Sequence, residues 1–353
     1  MMSILGRMAI LQSRRGDLPS VEQLSGIRII PIPMNTELPL VCIVMPSYNQ
    51  ARFLEDALRS VLEQDYPRIE LIIIDGGSTD GSKEILHRYR DRLAHCISEP
   101  DQGQADAINK GFQLARGEIV AWLNSDDVYL PGAVKEAVNA LRDFPDAGMV
   151  YADGLMVDAD LVLLDRHYYK PLSSVDLLAF EVLLQPTVFM RRAALEEVGW
   201  VNDDYHLILD HELWVRIASR YPIVHIKNFW ALERTHVEAK TISQARGFVE
   251  EAQRLIAWAG HSEELGDLVH RERKRIQAGL HVFAGRRLID SGEYKRAFRY
   301  LMQAVTEHPS TVMRYWYKVV QAGLSAIGLP GLFEWYRTTR RKITYGTQRI
   351  EPL

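Results

Sequence analysis

Five short apolar runs mark the first half of the chain: residues 41–45 (VCIVM), 69–75 (IELIIID), 95–98 (HCIS), 119–123 (IVAWL) and 149–152 (MVYA). Runs this short and this rich in Val and Ile suit strands buried on both faces of a parallel sheet. Helical spacing fills the gaps. Phe53, Leu54, Ala57, Leu58, Val61 and Leu62 share one face of a helix that Asn49 is suited to cap. Asp80 is placed to cap a second helix carrying Glu84, Ile85 and Leu86. Residues 106–115 read as a third, and Pro131 suits the first turn of a fourth. Strand–helix alternation from 41 to 152 predicts a doubly wound α/β unit with a mostly parallel sheet flanked by helices. Residues 1–36, with Pro19, Pro31 and Pro33, read as an extension. Residues 37–240 read as the main domain and 241–353 as a helical C-terminal region.

Composition narrows the class. At 353 residues, 47% hydrophobic and 25% charged, the chain is globular in type. Its two cysteines, Cys42 and Cys96, are too few for a disulfide framework or a metal cage. Both lie in apolar runs, so buried free thiols in a reducing compartment are expected. The N-terminal apolar stretch is too short for a signal peptide. The uncharged stretch 319–333 falls short of the ~20 residues that cross a bilayer. A cytoplasmic protein is expected, with the inner face of the membrane as its place if it touches lipid. Charge is uneven: residues 1–240 hold 24 basic against 35 acidic residues, and 241–353 hold 18 against 11. The net of −4 therefore hides an acidic front and a basic back.

The acids concentrate where the strands end. Run one leads into Pro46, Ser47, Tyr48 and Asn49. Run two leads into Asp75-Gly76-Gly77-Ser78-Thr79-Asp80, run three into Glu99-Pro100-Asp101-Gln102-Gly103-Gln104-Ala105-Asp106, and run four into Asn124-Ser125-Asp126-Asp127. Ligands of doubly wound folds bind at the carboxyl ends of the strands. Capping explains one such turn but not acids after three successive runs. Adjacent Asp126 and Asp127 repel unless a cation is near, and hard divalent ions take carboxylate oxygens.

The segments PSYNQARFLEDALRSVLEQDYPRIELIIIDGGSTDGS and SEPDQGQADAINKGFQLARGEIVAWLNSDD resemble family-2 glycosyltransferases of the GT-A fold, over roughly residues 39–240. The resemblance implies a nucleotide-sugar donor, a UDP-sugar first, a divalent metal (Mg2+ or Mn2+) and inverting transfer to a glycan or lipid-linked acceptor in cell-surface polysaccharide or glycoconjugate synthesis. It assigns donor binding to Pro46, Ser47, Tyr48, Asn49, Asp75, Ser78, Asp80, Asp106, Lys110, Asn124 and Asp126, and metal binding to Asp126 and Asp127. Two departures stand out: Gly76 replaces a frequent second acid, and Asn124 replaces the first acid of a D-x-D motif.

An inverting transfer needs a base for the acceptor hydroxyl. In Ile208-Leu209-Asp210-His211-Glu212-Leu213-Trp214, Asp210 matches the family's base, with Glu212 as second choice. Gln185 and Trp214 are acceptor-side candidates, although Trp214 also suits a core position. Arg234-Thr235-His236 resembles an R-x-H motif whose histidine would join the metal.

Within the C-terminal region, residues 285–309 resemble one tetratricopeptide-type hairpin without a second copy. Residues 311–342 mix aromatic and basic side chains, which suits peripheral membrane contact or a solvated helical face. A catalytically silent nucleotide- or carbohydrate-binding module on the same fold is the alternative, but it would need no base. Nucleic acid is not an expected partner. A processive synthase is disfavoured, because the chain has no Arg-Trp dipeptide for a Q-x-x-R-W motif.

Overall fold

Each of the five apolar runs becomes a strand of one nine-stranded sheet in the computed structural model, which describes residues 38–235, 244–346 and 348–350. The strands are β1 (Val41–Ser47), β2 (Ile69–Asp75), β3 (His95–Ser98), β4 (Ile119–Trp122), β5 (Val128–Tyr129), β6 (Met149–Val157), β7 (Leu163–His167), β8 (Val188–Arg191) and β9 (Ile223–Arg234). Their order is β3-β2-β1-β4-β8-β6-β9-β5, with β7 beside β6. The β3-β2-β1-β4 block is parallel, as is β6 with β9, whereas β8 runs antiparallel to β4 and β6. Register then places function. Ser47 pairs with Asp75 and Asp75 with Ser98, so three polar strand ends stand in a row.

Helices α1 (Ala51–Leu62), α2 (Ser82–Tyr89), α3 (Gln104–Leu114) and α4 (Ala133–Asp143) join the early strands. Their starts differ from the sequence reading. Gln50 rather than Asn49 is the N-cap of α1, and Asn49 takes a left-handed φ of 52° that its short polar side chain tolerates. Gly81, Gly103 and Gly132 occupy the N-cap positions of α2, α3 and α4. Asp80 still supports α2, because its carboxylate accepts the Ser82 N–H at 3.1 Å. Cys42 is buried as expected, but Cys96 is exposed. The reason is position: β3 is an edge strand whose side chains alternate between half-buried and exposed.

Further on come α5 (Ser174–Leu178), α6 (Arg192–Val198), α7 (Leu209–Arg220), α8 (Ala245–His261), α9 (Gly266–Arg271), α10 (Arg273–Asp290), α11 (Tyr294–Glu307), α12 (Pro309–Met313), α13 (Trp316–Ala326) and α14 (Pro330–Tyr345). One face of the sheet buries Ile43, Met45 and Ile73 against Leu54, Leu58, Val134 and Val138. The other buries Val44, Ile72 and Trp122 against Phe112 and Trp214, and this core continues into Phe248, Leu255, Ile276 and Phe283 of the late helices. Phe180 stacks on Phe283 with ring centroids 4.7 Å apart. Gly279 allows a close approach: a Cβ there would lie 2.2 Å from the Ala179 carbonyl oxygen. Helices α8 to α10 therefore share a core with the sheet, with α10 pressed against the end of α5, whereas α11 to α13 bury a separate apolar cluster around Leu301.

Candidate active site

The turns after β1 and β2 are tied together. The Asn49 N–H donates to Ser78 Oγ at 2.8 Å, and Asn49 Oδ1 accepts the Thr79 N–H at 2.9 Å. Asp80 Oδ2 accepts the Ala51 N–H at 2.8 Å, so one carboxylate steadies the starts of both α1 and α2. Asp75 is fully buried and accepts from the Ser78 and Ser98 hydroxyls and the Ser78 N–H. It organises this loop from within. Tyr48 is 62% exposed, while the Ser47 hydroxyl is buried with no hydrogen-bond partner among the described residues. Where the family often has a second acid, a Cβ on Gly76 would lie 2.7 Å from an Asp101 carboxylate oxygen. The Asp101 side chain thus fills the space that acid would need.

After β3, Asp106 and Lys110 pair with each other at 3.1 Å, and Lys110 also reaches Glu99 at 3.3 Å. Gln104 connects this turn to the next, donating from Nε2 to Asn124 Oδ1 at 2.8 Å. Asn124 then donates to Asp127 Oδ2 at 3.3 Å and to Gln185 Oε1 at 3.2 Å, and Gln185 donates to the Trp122 carbonyl at 2.8 Å. An amide suits this position: Asn124 both accepts and donates, whereas an aspartate could only accept. Gln185 is buried and braces Asn124.

Asp127 is buried and accepts the Arg234 N–H at 2.9 Å, while Asp126 is half-buried. Burial, reinforced by the charges of Asp126 and Glu233, holds the Asp127 carboxyl well above the usual carboxylate range. Carboxylates that resist ionising together are suited to a cation, and their hard oxygens fit Mg2+ or Mn2+. Asp126 is the member of the pair that solvent reaches. Among the described residues no three Asp, Glu, His or Cys side chains converge as a complete metal cage. The candidate ligand His236 lies outside the described residues.

Asp210 opens α7. Burial pushes its carboxyl up to about 6, against the His211 N–H that it accepts at 2.7 Å and the nearby charge of Arg287. The two neighbours proposed beside it serve the fold. Glu212 is buried and holds Arg216 through both oxygens at 2.8 Å, and Arg216 also donates to the carbonyls of Val198, Gly199 and Trp200. A carboxylate so occupied is not a base. Trp214 is fully buried and stacks on Trp122 at 5.1 Å, which leaves no ring face for a sugar. His211 is also internal. Its Nε2 meets the Leu177 carbonyl at 2.9 Å, and burial lowers its pKa to about 4, so it stays neutral.

Three residues that local pattern did not single out complete the site. Glu233 on β9 is pushed up to about 7 by burial and then by the charge of Asp210, with Asp126 adding to the shift and Arg287 opposing it. Its only signal in the sequence is its place just before Arg234-Thr235-His236. Arg287, near the end of α10, lies within electrostatic reach of both Asp210 and Glu233. Glu251 on α8 accepts the backbone N–H groups of His206, Leu207 and Ile208 at 2.9–3.1 Å and so fixes the loop that leads to Asp210. Neither had any motif to mark it.

With this geometry in place, comparison adds kinship. Residues 42–199 match the model of the family described as glycosyl transferase family 2. An uncharacterized glycosyltransferase of Rickettsia typhi is 27% identical over 257 residues, spanning 70% of this chain and 79% of that protein. Among solved structures, S. aureus TarS 1-349 in complex with UDP-GlcNAc aligns with a TM-score of 0.55 at 14% identity, over 79% of this chain and 92% of that one. The mannosyltransferase PcManGT from Pyrobaculum calidifontis, in complex with GDP-Man and Mn2+, aligns with a TM-score of 0.55 at 21% identity, over 84% of this chain and 88% of that one. At these identities the two structures establish a common fold.

Proposed function

We propose, for a chain that belongs to glycosyl transferase family 2 through residues 42–199, that the site moves a sugar from a nucleotide-sugar donor to a hydroxyl of a glycan or lipid-linked acceptor with inversion. One observation carries this reading. On β9, Glu233 is next to Arg234, whose N–H donates to Asp127 at 2.9 Å, and it lies within electrostatic reach of Asp210 at the start of α7. The donor-side acids and the candidate base therefore belong to one site, which a silent binding module would not need.

In this reading the acceptor oxygen bonds to the anomeric carbon as the bond from that carbon to the diphosphate oxygen breaks. The electron pair leaves with the nucleoside diphosphate, and the hydroxyl proton passes to the Asp210 carboxylate. Asp75, Ser78, Asn49 and Asp80 form the rigid cradle for the nucleoside, and the Gln104–Asn124–Gln185 chain fixes the turn that carries Asp126 and Asp127. A divalent ion, when bound, stabilises charge growing on the leaving diphosphate, and Asp126 and Asp127 are the residues that would hold it. The Mn2+ and nucleotide sugars named with the two structural neighbours support this choice of ligands.

Peripheral membrane contact belongs to the same proposal. Met313, Trp316, Ile327, Trp335 and Ile343 are each at least 65% exposed, and Arg337, Arg340 and Lys342 lie on α14 among them. Among the described residues no helix is long and apolar enough to cross a membrane. Apolar anchors beside cations suit an anionic lipid surface.

A thermal-shift screen with UDP-, GDP- and dTDP-sugars, each with Mg2+ or Mn2+, tests the donor assignment. Stabilisation by one nucleotide class, with transfer lost in Asp126→Ala, is the expected result. No stabilisation and no turnover with any donor would overturn it.

A further inference from the structure

The turn that carries Asp126 and Asp127 is braced from a part of the chain that no motif marks. Tyr169 lies in the connection between β7 and α5. Its hydroxyl accepts the Leu184 N–H at 2.8 Å. Leu184 is buried, and a Cβ on Gly154 of β6 would lie 2.5 Å from its Cδ2, so it packs tightly against the strand. The next residue, Gln185, donates to the Trp122 carbonyl at 2.8 Å and accepts from Asn124 at 3.2 Å. Asn124 in turn donates to Asp127 Oδ2 at 3.3 Å. A continuous path of hydrogen bonds, joined by one peptide link, leads from Tyr169 to a candidate metal ligand.

Tyr169 is itself held in place. Its N–H donates to Asp153 Oδ1 at 2.8 Å, and the same oxygen meets His225 Nε2 at 2.8 Å. The side chains of His225 and Asp153 are 6% and 3% exposed. The β6–β9 register shifts on both sides of Asp153, and such irregularities re-aim a side chain. Tyr151, two residues earlier on β6, serves the same connection differently. Its hydroxyl donates to the Lys170 carbonyl at 2.9 Å and accepts the Leu172 N–H at 2.8 Å. The two rings meet edge to face, with centroids 6.1 Å apart. Tyr151 thus satisfies the backbone of the connection, whereas the Tyr169 hydroxyl reaches out of it to the loop before Gln185. A buried N–H left without an acceptor is costly, and a loop relieves that cost by moving. Movement at Leu184 would carry Gln185 away from Asn124.

We propose that Tyr169 is a positioning residue for the site: its hydroxyl fixes the Leu184–Gln185 backbone, Gln185 orients the Asn124 amide, and Asn124 steadies the Asp127 carboxylate. What Asp127 does with that placement rests on the glycosyl-transfer reading; the coupling itself does not. The path has a direction, because Tyr169 acts through Gln185.

Full-length wild type, Tyr169→Phe, Tyr151→Phe, Gln185→Leu and the double variant Tyr169→Phe/Gln185→Leu are compared. Hydrogen exchange over residues 123–128 of the ligand-free protein reads the turn, where the Asp127 N–H donates to the Asn124 carbonyl at 3.0 Å. Calorimetry of Mn2+ binding with saturating UDP, and separately with saturating GDP, reads the ligands. Tyr169→Phe should speed this exchange about tenfold and weaken Mn2+ about fivefold or more, and Gln185→Leu should reproduce both changes. In the Gln185→Leu background, Tyr169→Phe should add less than about twofold to either. Tyr151→Phe should lower the urea midpoint yet leave both readouts within about twofold of wild type. Wild-type exchange in Tyr169→Phe, an equal effect of Tyr151→Phe, or full additivity with Gln185→Leu would overturn the proposal. Failure of the wild type to bind Mn2+ with either nucleotide would count against the glycosyl-transfer reading, while the exchange rates still decide the coupling.

Discussion

Glu251 holds the backbone of Ile208 in place, its Oε2 accepting the Ile208 N–H at 3.1 Å two residues before Asp210. The same carboxylate takes the N–H groups of His206 at 3.0 Å and Leu207 at 2.9 Å. Without it three donors at the entry to α7 lose their acceptor at once. Glu251→Ala should therefore destabilise the protein by about 2–4 kcal/mol and lower turnover by shifting Asp210. Urea unfolding and initial rates check this. Wild-type stability in the variant would show that the loop does not depend on Glu251.

Asp210 must be ionised to take a proton. With its carboxyl near 6, turnover should rise with pH through that value and level off above it. Asp210→Asn should bind donor normally yet lose on the order of 10³-fold or more in rate, with no acid limb left. Normal turnover in Asp210→Asn would remove it as the base.

Glu233 supplies a pH test of stability. Its folded-state pKa, near 7, is raised above the unfolded value. The folded state therefore binds a proton more tightly, and this contribution is complete below about 4.5 and lost as pH rises through 7. Glu233→Gln removes the ionised, buried form, so the variant should be more stable than wild type by ~2 kcal/mol at pH 8 and equal to it at pH 4.5, both in EDTA. Melting temperatures at the two pH values decide the matter. A variant less stable at pH 8 would mean that Glu233 is held as an ion.

The exposed apolar side chains of α13 and α14 can be changed without entering the core. Trp316→Ser combined with Trp335→Ser should leave the melting temperature within about 2 °C and cut flotation with anionic liposomes several-fold. Equal flotation of wild type and variant would remove the membrane contact.

The strand–helix alternation, the order of the strand-end turns and the kinship they imply were legible in the sequence, because they follow from local spacing. Asn49, Asp75, Ser78 and Asp80 lie within 32 residues of one another, and their neighbouring strands β1 and β2 are paired in register. Asp126 and Asp127 follow β4, which pairs with β1 on its other side. The adjacent parallel strands of this block bring their polar ends to one edge whatever the distant chain does.

The side of the site built on α7 was decided only by tertiary packing. Glu212 and Trp214 belong to the same short segment as Asp210, yet Arg216 engages one and Trp122 covers the other. Which of three neighbouring helical side chains faces the site depends on the rotation of α7 against the sheet, and that is set by contacts far away in sequence. Glu251 and Arg287 sit in helical patterns that carry no chemical signal. They matter because α8 and α10 share the core behind Phe180, so a carboxylate and a guanidinium reach α7 from more than 40 and more than 70 residues along the chain. Spacing fixes which residues share a turn or a face. Burial and long-range charge fix which of them can bind, ionise or react.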